Sequence, residues 1–434
     1  MDWRDHYRAR LTNAEAAVKS IKSGDRVVTG HACAEPTVLI EAMTANAAAV
    51  QDVEVVHMVP MGSAPYCRAD LAGRFRHNSL FAGPPTRKAI EAGCADFTPV
   101  FFSQVPELLR SGLRVDVALI QVSSPDAHGY CSFGVSVDYT KAAAESAATV
   151  IAQVNPNMPR TLGDSFVHVT DLDHIVETDV PLLELRPPEI GDVEARIGAN
   201  CAGLIRDGDT LQLGIGAIPD AVLLSLRDKH DLGIHSEMIS DGVVDLIEAG
   251  VVTNRRKAFH TGRCLVTFLM GSRRLYDFVD NNPVIEMAPV DYVNDPLHIA
   301  RNPNMVAINS CVQVDLMGQV VSSSVGLRQI SGIGGQADFV RGANMSAGGR
   351  AIMAMPSTTK DGRTSKIVPL IDEGASVSTL RCDVRYVVTE YGVAELWGQT
   401  LRERARRLTA IAHPDFRAQL AAECGRRFEQ LVLA

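Results

Sequence analysis

The strongest constraint on the fold is an internal repeat. Gly24-Asp25, a Val-rich run over residues 26–29 and Gly30 are matched, at the same spacing, by Gly208-Asp209, residues 210–213 and Gly214. A helix-like stretch precedes each copy, over residues 12–21 in the first and 201–205 in the second. Pro36 and Pro219 follow one residue out of step, and Val38-Leu39 and Val222-Leu223 return to register. Asp126-Ala127-His128-Gly129 is echoed by Asp315-Leu316-Met317-Gly318 at a similar offset. A pattern that recurs at a fixed offset decides architecture before local detail does. It implies two related halves, each beginning helix, strand, glycine loop, helix.

Val/Ile-rich runs recur between the helix-like stretches, at residues 53–58, 115–122, 150–154, 306–310 and 384–389. They are continuous rather than alternating, as expected of parallel strands covered on both faces. The expected fold class is therefore α/β. Glu184-Leu185-Arg186-Pro187-Pro188 marks the boundary, because successive prolines fit neither a helix interior nor a central strand. The expected domains are residues 1–187 and 188–434, a division that suits a chain of 434 residues.

Charge and cysteine usage narrow the function classes. A net charge of −9 argues against a nucleic-acid partner, whose phosphates require a basic face. The nine cysteines are dispersed, with no CxxC and no Cys/His ligand spacing, so no metal site is expected. Reduced thiols fit a cytoplasmic location better than a disulfide framework does. The charged start, Met1-Asp2-Trp3-Arg4-Asp5, predicts no secretory leader, and no long apolar run predicts a membrane span.

Three segments carry candidate chemistry. Leu213-Gly214-Ile215-Gly216-Ala217-Ile218-Pro219 follows a predicted strand and opens a predicted helix, a context in which backbone N–H groups and the helix dipole bind anions. Glu237 lies at the end of the next β-like run, in His235-Ser236-Glu237-Met238-Ile239-Ser240-Asp241-Gly242. A carboxylate there serves as a nucleophile, a general base or a ribose ligand. The ribose reading belongs to an NAD-dependent oxidoreductase, and it is weakened by Pro219 where the dinucleotide fingerprint has its third glycine. A plain turn into a helix and a surface Glu are the ordinary alternatives. The third segment begins at Gly332-Ile333-Gly334-Gly335-Gln336-Ala337-Asp338-Phe339. From Arg328 to Lys366 the basic residues are Arg328, Arg341, Arg350, Lys360, Arg363 and Lys366, against Asp338 and Asp361. A basic, glycine-rich tract in an acidic protein suits a phosphate-bearing ligand. A loop-rich hairpin with solvated charges is the alternative. His31, His57 and Asn155 fall near predicted strand ends and are candidate pocket-lining residues, as is the loop at Asp126. Ordinary polar residues and a simple turn are the competing readings.

Gly334-Gly335-Gln336-Ala337-Asp338-Phe339, Pro356-Ser357-Thr358-Thr359-Lys360, the Gly214 loop and the Glu237 segment together resemble the acetyl-CoA hydrolase/transferase family. The similarity runs from Met1-Asp2-Trp3 to His413-Pro414-Asp415-Phe416, nearly the whole chain. The resemblance implies two tandem CoA-transferase-type (NagB/RpiA-like) domains with mainly parallel sheets. It implies that Glu237 carries CoA as a glutamyl thioester, and that Gly214, Ile215, Gly216, Ala217, Ile218, Val312, Gly335 and Lys360 bind CoA. Val312 stands where leucine is expected, which keeps an apolar contact. The implied partners are acyl-CoA and short-chain carboxylic acids such as 4-hydroxybutyrate, itaconate, butyrate, succinate or acetate. No cofactor is expected beyond CoA as substrate, and a homodimer or higher homo-oligomer is. Acyl-CoA hydrolysis is the alternative within the family.

Overall fold

Two parallel sheets organise the chain. The computed structural model describes residues 2–429. The first sheet contains β1 (Arg26–Thr29), β2 (Val53–His57), β3 (Phe75–Ser79), β4 (Ala95–Phe97), β5 (Val117–Val122), β6 (Thr149–Val154) and β7 (His174–Glu177). Their order is β7-β6-β5-β1-β2-β3-β4, and every pairing is parallel. The second sheet contains β8 (Thr210–Leu213), β9 (Gly233–Ile234), β10 (Met305–Ser310), β11 (Arg350–Ala354), β12 (Tyr386–Thr389) and β13 (Gly392–Glu395). Its order is β9-β8-β10-β11-β12-β13, parallel except for the antiparallel β12/β13 edge. Most of the Val/Ile-rich runs are these strands. The run at 384–389 begins two residues late, and the helix-like stretch at 12–21 is a short α-turn, Ala14–Ala17, followed by a 3-10 turn. At 201–205 only the end of a longer helix was visible. That helix is Asp192–Ala202, whose first turns are too polar to show an apolar stripe.

The repeat is reproduced at the level of single hydrogen bonds. Gly24 and Gly208 both adopt positive φ, +81° and +80°, which favours glycine. In the first turn the Asp25 carboxylate accepts the Lys22 N–H at 2.7 Å; in the second, Asp209 accepts the Arg206 N–H at 2.7 Å. Each strand then runs through a glycine loop into a helix, α1 (Thr37–Ala45) after β1 and α3 (Ala217–Leu224) after β8, with α2 (Asp192–Ala202) preceding the second copy. The echo at Asp126 and Asp315 is also one turn used twice. Asp126 accepts the N–H groups of His128 and Tyr130, and Asp315 those of Met317 and Gln319. Gly129 and Gly318 close the two turns at φ +88° and +89°.

The chain forms two compact units, Met1–Arg186 with Cys264–Val293, and Pro187–Arg263 with Asn294–Ala434. The change at Arg186/Pro187 falls at the Pro-Pro boundary. The segment Cys264–Val293, expected in the second domain, belongs instead to the first unit. Its strands Cys264–Val266 and Ile285–Met287 pair in parallel, and Ile285–Met287 continues onto Leu162–Gly163. Tyr276 also donates its hydroxyl to the Leu183 carbonyl at 2.8 Å. In the first core, Val27, Val55, Val117, Leu119 and Ile151 from the strands meet Leu39, Ile40 and Met43 from α1. The second core joins Ala351, Met353 and Val387 to Val340, Ala405 and Leu408. Burying each such Val or Leu contributes about 1.5–3 kcal/mol.

Candidate active site

The second sheet has its topological switch point beside β8. The chain leaves β8 for β9 on one side and returns to β10 on the other. In open parallel sheets the crevice for a ligand opens at the carboxyl ends of the strands at such a point. Two expected CoA contacts distant in sequence flank it. Gly214 follows β8, and Val312, half-buried, lies two residues beyond the end of β10.

The Gly214 loop is built for a close approach. Gly216 adopts φ +110° with ψ 177°, which only glycine tolerates readily. A Cβ placed at Gly214 or Gly216 would meet nothing within 4 Å, so both backbones border open space. Ala217 and Ile218 occupy the first turn of α3, where a helix has no acceptors for its own N–H groups. Pro219 has no N–H, so the donors of this terminus are confined to the loop and these two residues. The Ile218 side chain is buried, and what it offers a ligand is its amide. Ile215 is exposed.

Glu237 is aimed by its neighbours. The Ser236 hydroxyl donates to the Leu213 carbonyl at 3.1 Å, and the Leu213 N–H returns to the Ser236 oxygen at 3.3 Å. This clamps the Glu237 segment to the end of β8. His235 is fully buried, edge-on to Phe339, with Asn302 at 3.0 Å from its Nδ1. Glu237 itself is partly exposed, and its Oε2 accepts a hydrogen bond from the Asn294 amide nitrogen at 2.8 Å. Asn294 is completely buried, and its Oδ1 has no hydrogen-bond partner. Gly335 presses against the same group, since a Cβ there would collide with Glu237 Oε2 and Asn294 Nδ2. Gly335 caps the ten-residue helix α4 (Gln336–Met345), so the carboxylate lies at a positive helix end. The fold thus brings Glu237 and Gly335 together. Asn294 was not singled out, because Asn294-Asp295-Pro296 reads as a turn, and Asp295 does cap the short helix that follows.

The basic tract resolves residue by residue. It is not a loop-rich hairpin throughout, because α4 occupies its centre with Phe339, Val340 and Ala343 buried. Arg350 is nearly buried and is not a ligand group: it pairs with Asp209 at 2.7 Å and donates to the Leu204 carbonyl. Arg363 pairs with Asp361. Lys360 stands exposed on a turn closed by the Gly362 N–H and the Thr359 carbonyl, and its ammonium has no partner among the described residues.

In the first unit, His31 is buried against Phe102, Tyr139 and Phe268, with Nδ1 2.8 Å from Asp138. His57 Nδ1 lies 2.8 Å from the Tyr66 hydroxyl. Burial, then the nearby His77 and His31, push the His57 pKa well below the usual histidine value. Asn155 donates to Gln121 and to the Val180 carbonyl, and so ties strand ends together. The Asp126 loop is the turn described above, with Arg160 paired to its carboxylate at 3.1 Å.

The profile of the acetyl-CoA hydrolase/transferase N-terminal domain matches residues 1–184, and that of the C-terminal domain matches residues 271–424. The chain is 61% identical to the 4-hydroxybutyrate coenzyme A transferase of Clostridium kluyveri, over 99% of this chain and 100% of the relative. It is 46% identical to the succinyl-CoA:cyclohexane-1-carboxylate CoA transferase of Geobacter metallireducens, over 98% and 97% of the two chains. The solved structure of RipA from Yersinia pestis superposes with a TM-score of 0.94 at 40% identity, covering 99% of this chain and 100% of RipA. With both halves of the family matched and relatives aligned from end to end, the chain belongs to the acetyl-CoA hydrolase/transferase family.

Proposed function

We propose that this protein transfers CoA between short-chain carboxylic acids, with 4-hydroxybutyrate as an acceptor and Glu237 as the covalent carrier. The observation that carries this reading is the Glu237 carboxylate held by Asn294 against Gly335, in the same unit as the Gly214 loop at the switch point. The acid is suggested by the relative from Clostridium kluyveri.

The chemistry balances with these groups alone. In this reaction Oε1, the oxygen other than the one that accepts from Asn294, attacks the thioester carbonyl of the acyl-CoA. The carbon–sulfur bond breaks, giving an acyl-glutamyl anhydride and CoA thiolate. The thiolate attacks the glutamyl carbon. The negative charge develops on Oε2, where the Asn294 N–H donates, and one such donor stabilises an oxyanion by about 3–4 kcal/mol. The first acid leaves with Oε1, and Glu237 is left as the CoA thioester. A second carboxylate attacks that thioester, and the thiolate then takes the new acyl group and restores the Glu237 carboxylate. No proton is gained or lost and no redox step occurs, so neither metal nor redox cofactor enters the balance.

No helix among the described residues is long and apolar enough to cross a membrane. We assign the protein to the cytoplasm on its free cysteines. A homodimer or higher homo-oligomer is the expected state, closed symmetric assemblies being the common case; sedimentation velocity tests it.

The test of the reaction is incubation with acyl-CoA in the absence of an acceptor acid, followed by peptide mass analysis. A CoA-sized adduct on the Glu237 peptide and parallel initial-rate lines are expected. An unmodified peptide with intersecting lines would overturn the covalent route. Release of free CoA at the same rate with and without acceptor would make the protein a hydrolase.

A further inference from the structure

Lys366 is a half-buried cation with no ion-pair partner among the described residues. Its backbone is fixed on both sides: its N–H donates to the Ser357 carbonyl at 2.8 Å, and its carbonyl accepts the Val314 N–H at 2.9 Å. The next residue, Ile367, pairs in parallel with Val314. The side chain therefore lies over the carboxyl ends of three strands, with Cys311 following β10, Ser357 beyond β11 and Glu390 after β12. Its ammonium makes no ion pair and no hydrogen bond among the described residues.

Two carboxylates nearby, Glu390 and Glu194, favour its charge, but neither makes an ion-pair contact with it. Glu390 is held by Ser357, one oxygen accepting from the hydroxyl at 2.6 Å and the other from the N–H at 2.9 Å. Glu194 faces Lys366 from α2 without ion-pair contact. Burial holds the Cys311 thiol up at about 12, so it stays neutral. Burial likewise lowers the Lys366 pKa, with Cys311, Glu390 and Glu194 opposing the shift. A desolvated charge without a partner is costly, and such groups are retained where a ligand supplies the opposite charge.

The position selects the ligand. Lys366 is at the carboxyl-end edge of the second sheet, bonded through its carbonyl to Val314, and on the far side of the switch point from β9, which leads into Glu237. From β9 to β11 is three strand spacings, about 14 Å, too far for a contact with the reacting carbonyl. In CoA the phosphates sit at the other end of the pantetheine arm from the sulfur. We propose that Lys366 anchors the nucleotide end of CoA by donating to a phosphate oxygen. This rests on the CoA-transferase reading above and adds to it the group that reads the cofactor's charge.

The experiment compares wild type with Lys366→Met and Lys366→Arg, using acyl-CoA, the acyl thioester of dephospho-CoA, and an acyl-pantetheine that carries no phosphate. Lys366→Met should raise KM for acyl-CoA by about 10- to 100-fold, the worth of one charge-assisted hydrogen bond. The loss should appear in KM for acyl-CoA and not in KM for the acid, and Lys366→Arg should recover most of it. On acyl-pantetheine the wild type and Lys366→Met should agree within about twofold. A difference that vanishes on the dephospho substrate assigns the 3′-phosphate; one that persists there assigns the pyrophosphate. Free Lys366→Met should melt no lower than wild type, while the rise in Tm produced by CoA should shrink. An unchanged KM, an equal penalty on acyl-pantetheine, or a lowered Tm with the full CoA-induced rise would overturn the anchor. A wild type that responds to none of the CoA substrates would overturn the transferase reading itself, a result distinct from these.

Discussion

In the proposed reaction Glu237 is the nucleophile, and its Oε2 is the oxygen that accepts from Asn294. Asn294 holds Oε2 from a fully buried position, and the missing side chain of Gly335 leaves the space that this oxygen occupies. Glu237→Gln should therefore keep the hydrogen-bonded shape and lose exchange by on the order of 10⁴-fold or more, because the attacking anion is gone. Asn294→Ala keeps the nucleophile and removes one donor. Its kcat should fall by about 10²- to 10³-fold, and the CoA adduct should still form, more slowly, in rapid-quench mass analysis. Gly335→Ala drives a methyl group into the carboxylate, and a displacement of about 1 Å costs on the order of 10²-fold in rate. Equal activity of the Asn294→Ala enzyme and wild type would remove Asn294 from the mechanism. The three residues differ in how legible they were. Glu237 and Gly335 sit in segments with family character, whereas Asn294 lies 57 residues from Glu237 in a stretch that reads as a turn.

At the scale of elements, a few polar contacts fix the ends of strands and helices. Asp209 closes the turn before β8 and also receives Arg350 from the start of β11. Side-chain accessibilities of 2% for Asp209 and 8% for Arg350 make this a buried pair. Removing one member leaves the other charge uncompensated, so Asp209→Ala should lower the free energy of unfolding by about 3–5 kcal/mol in urea titration. Replacing both by apolar residues should cost far less. Gly216→Ala tests the loop that starts α3. With φ at +110° the added Cβ strains the backbone by about 1–3 kcal/mol, although nothing lies within 4 Å to clash with it. The expected result is a weaker response to CoA with a modest fall in Tm. A variant with unaltered CoA affinity would show that the loop geometry does not matter to binding.

For the whole molecule, the buried histidines of the first unit set a pH limit. Burial lowers the His57 pKa well below its usual value and brings that of His77 to about 4, against about 6.5 in an unfolded chain. Below pH 6.5 the unfolded chain binds protons that the folded protein refuses, so stability falls as pH drops from about 6.5 towards 4. Each histidine contributes a slope of up to about 1.4 kcal/mol per pH unit. Glu35, whose carboxyl burial pushes upward, acts in the opposite sense and offsets part of the loss. Urea midpoints at pH 7.5 and 5 should differ accordingly, and the difference should shrink in His77→Gln. The discontinuous first unit gives a second test. A fragment of residues 1–187 lacks the strands Cys264–Val266 and Ile285–Met287, leaving Leu162–Gly163 without its partner. That fragment should melt without a cooperative transition by circular dichroism; a sharp transition like that of the full chain would show the inserted segment to be dispensable.

What was readable in one dimension is what local physics enforces. Glycine is needed wherever φ is positive, so Gly24 and Gly208 mark the same turn in both halves. Parallel strands covered on both faces must be continuously apolar, which exposes them and the α/β class. The motifs around Glu237, Gly214 and Gly335 are long enough to carry a family resemblance. What only the tertiary structure decided depends on closing long loops. The assignment of Cys264–Val293 to the first unit rests on backbone pairing across more than a hundred residues, with Glu286 opposite Leu162. Asn294, Arg350 and Lys366 are an ordinary amide and two ordinary cations in sequence. The fold makes the first a donor to Glu237, the second the partner of a buried aspartate and the third a cation with no ion pair among the described residues, because burial and neighbours, not residue type, fix what a polar group is worth.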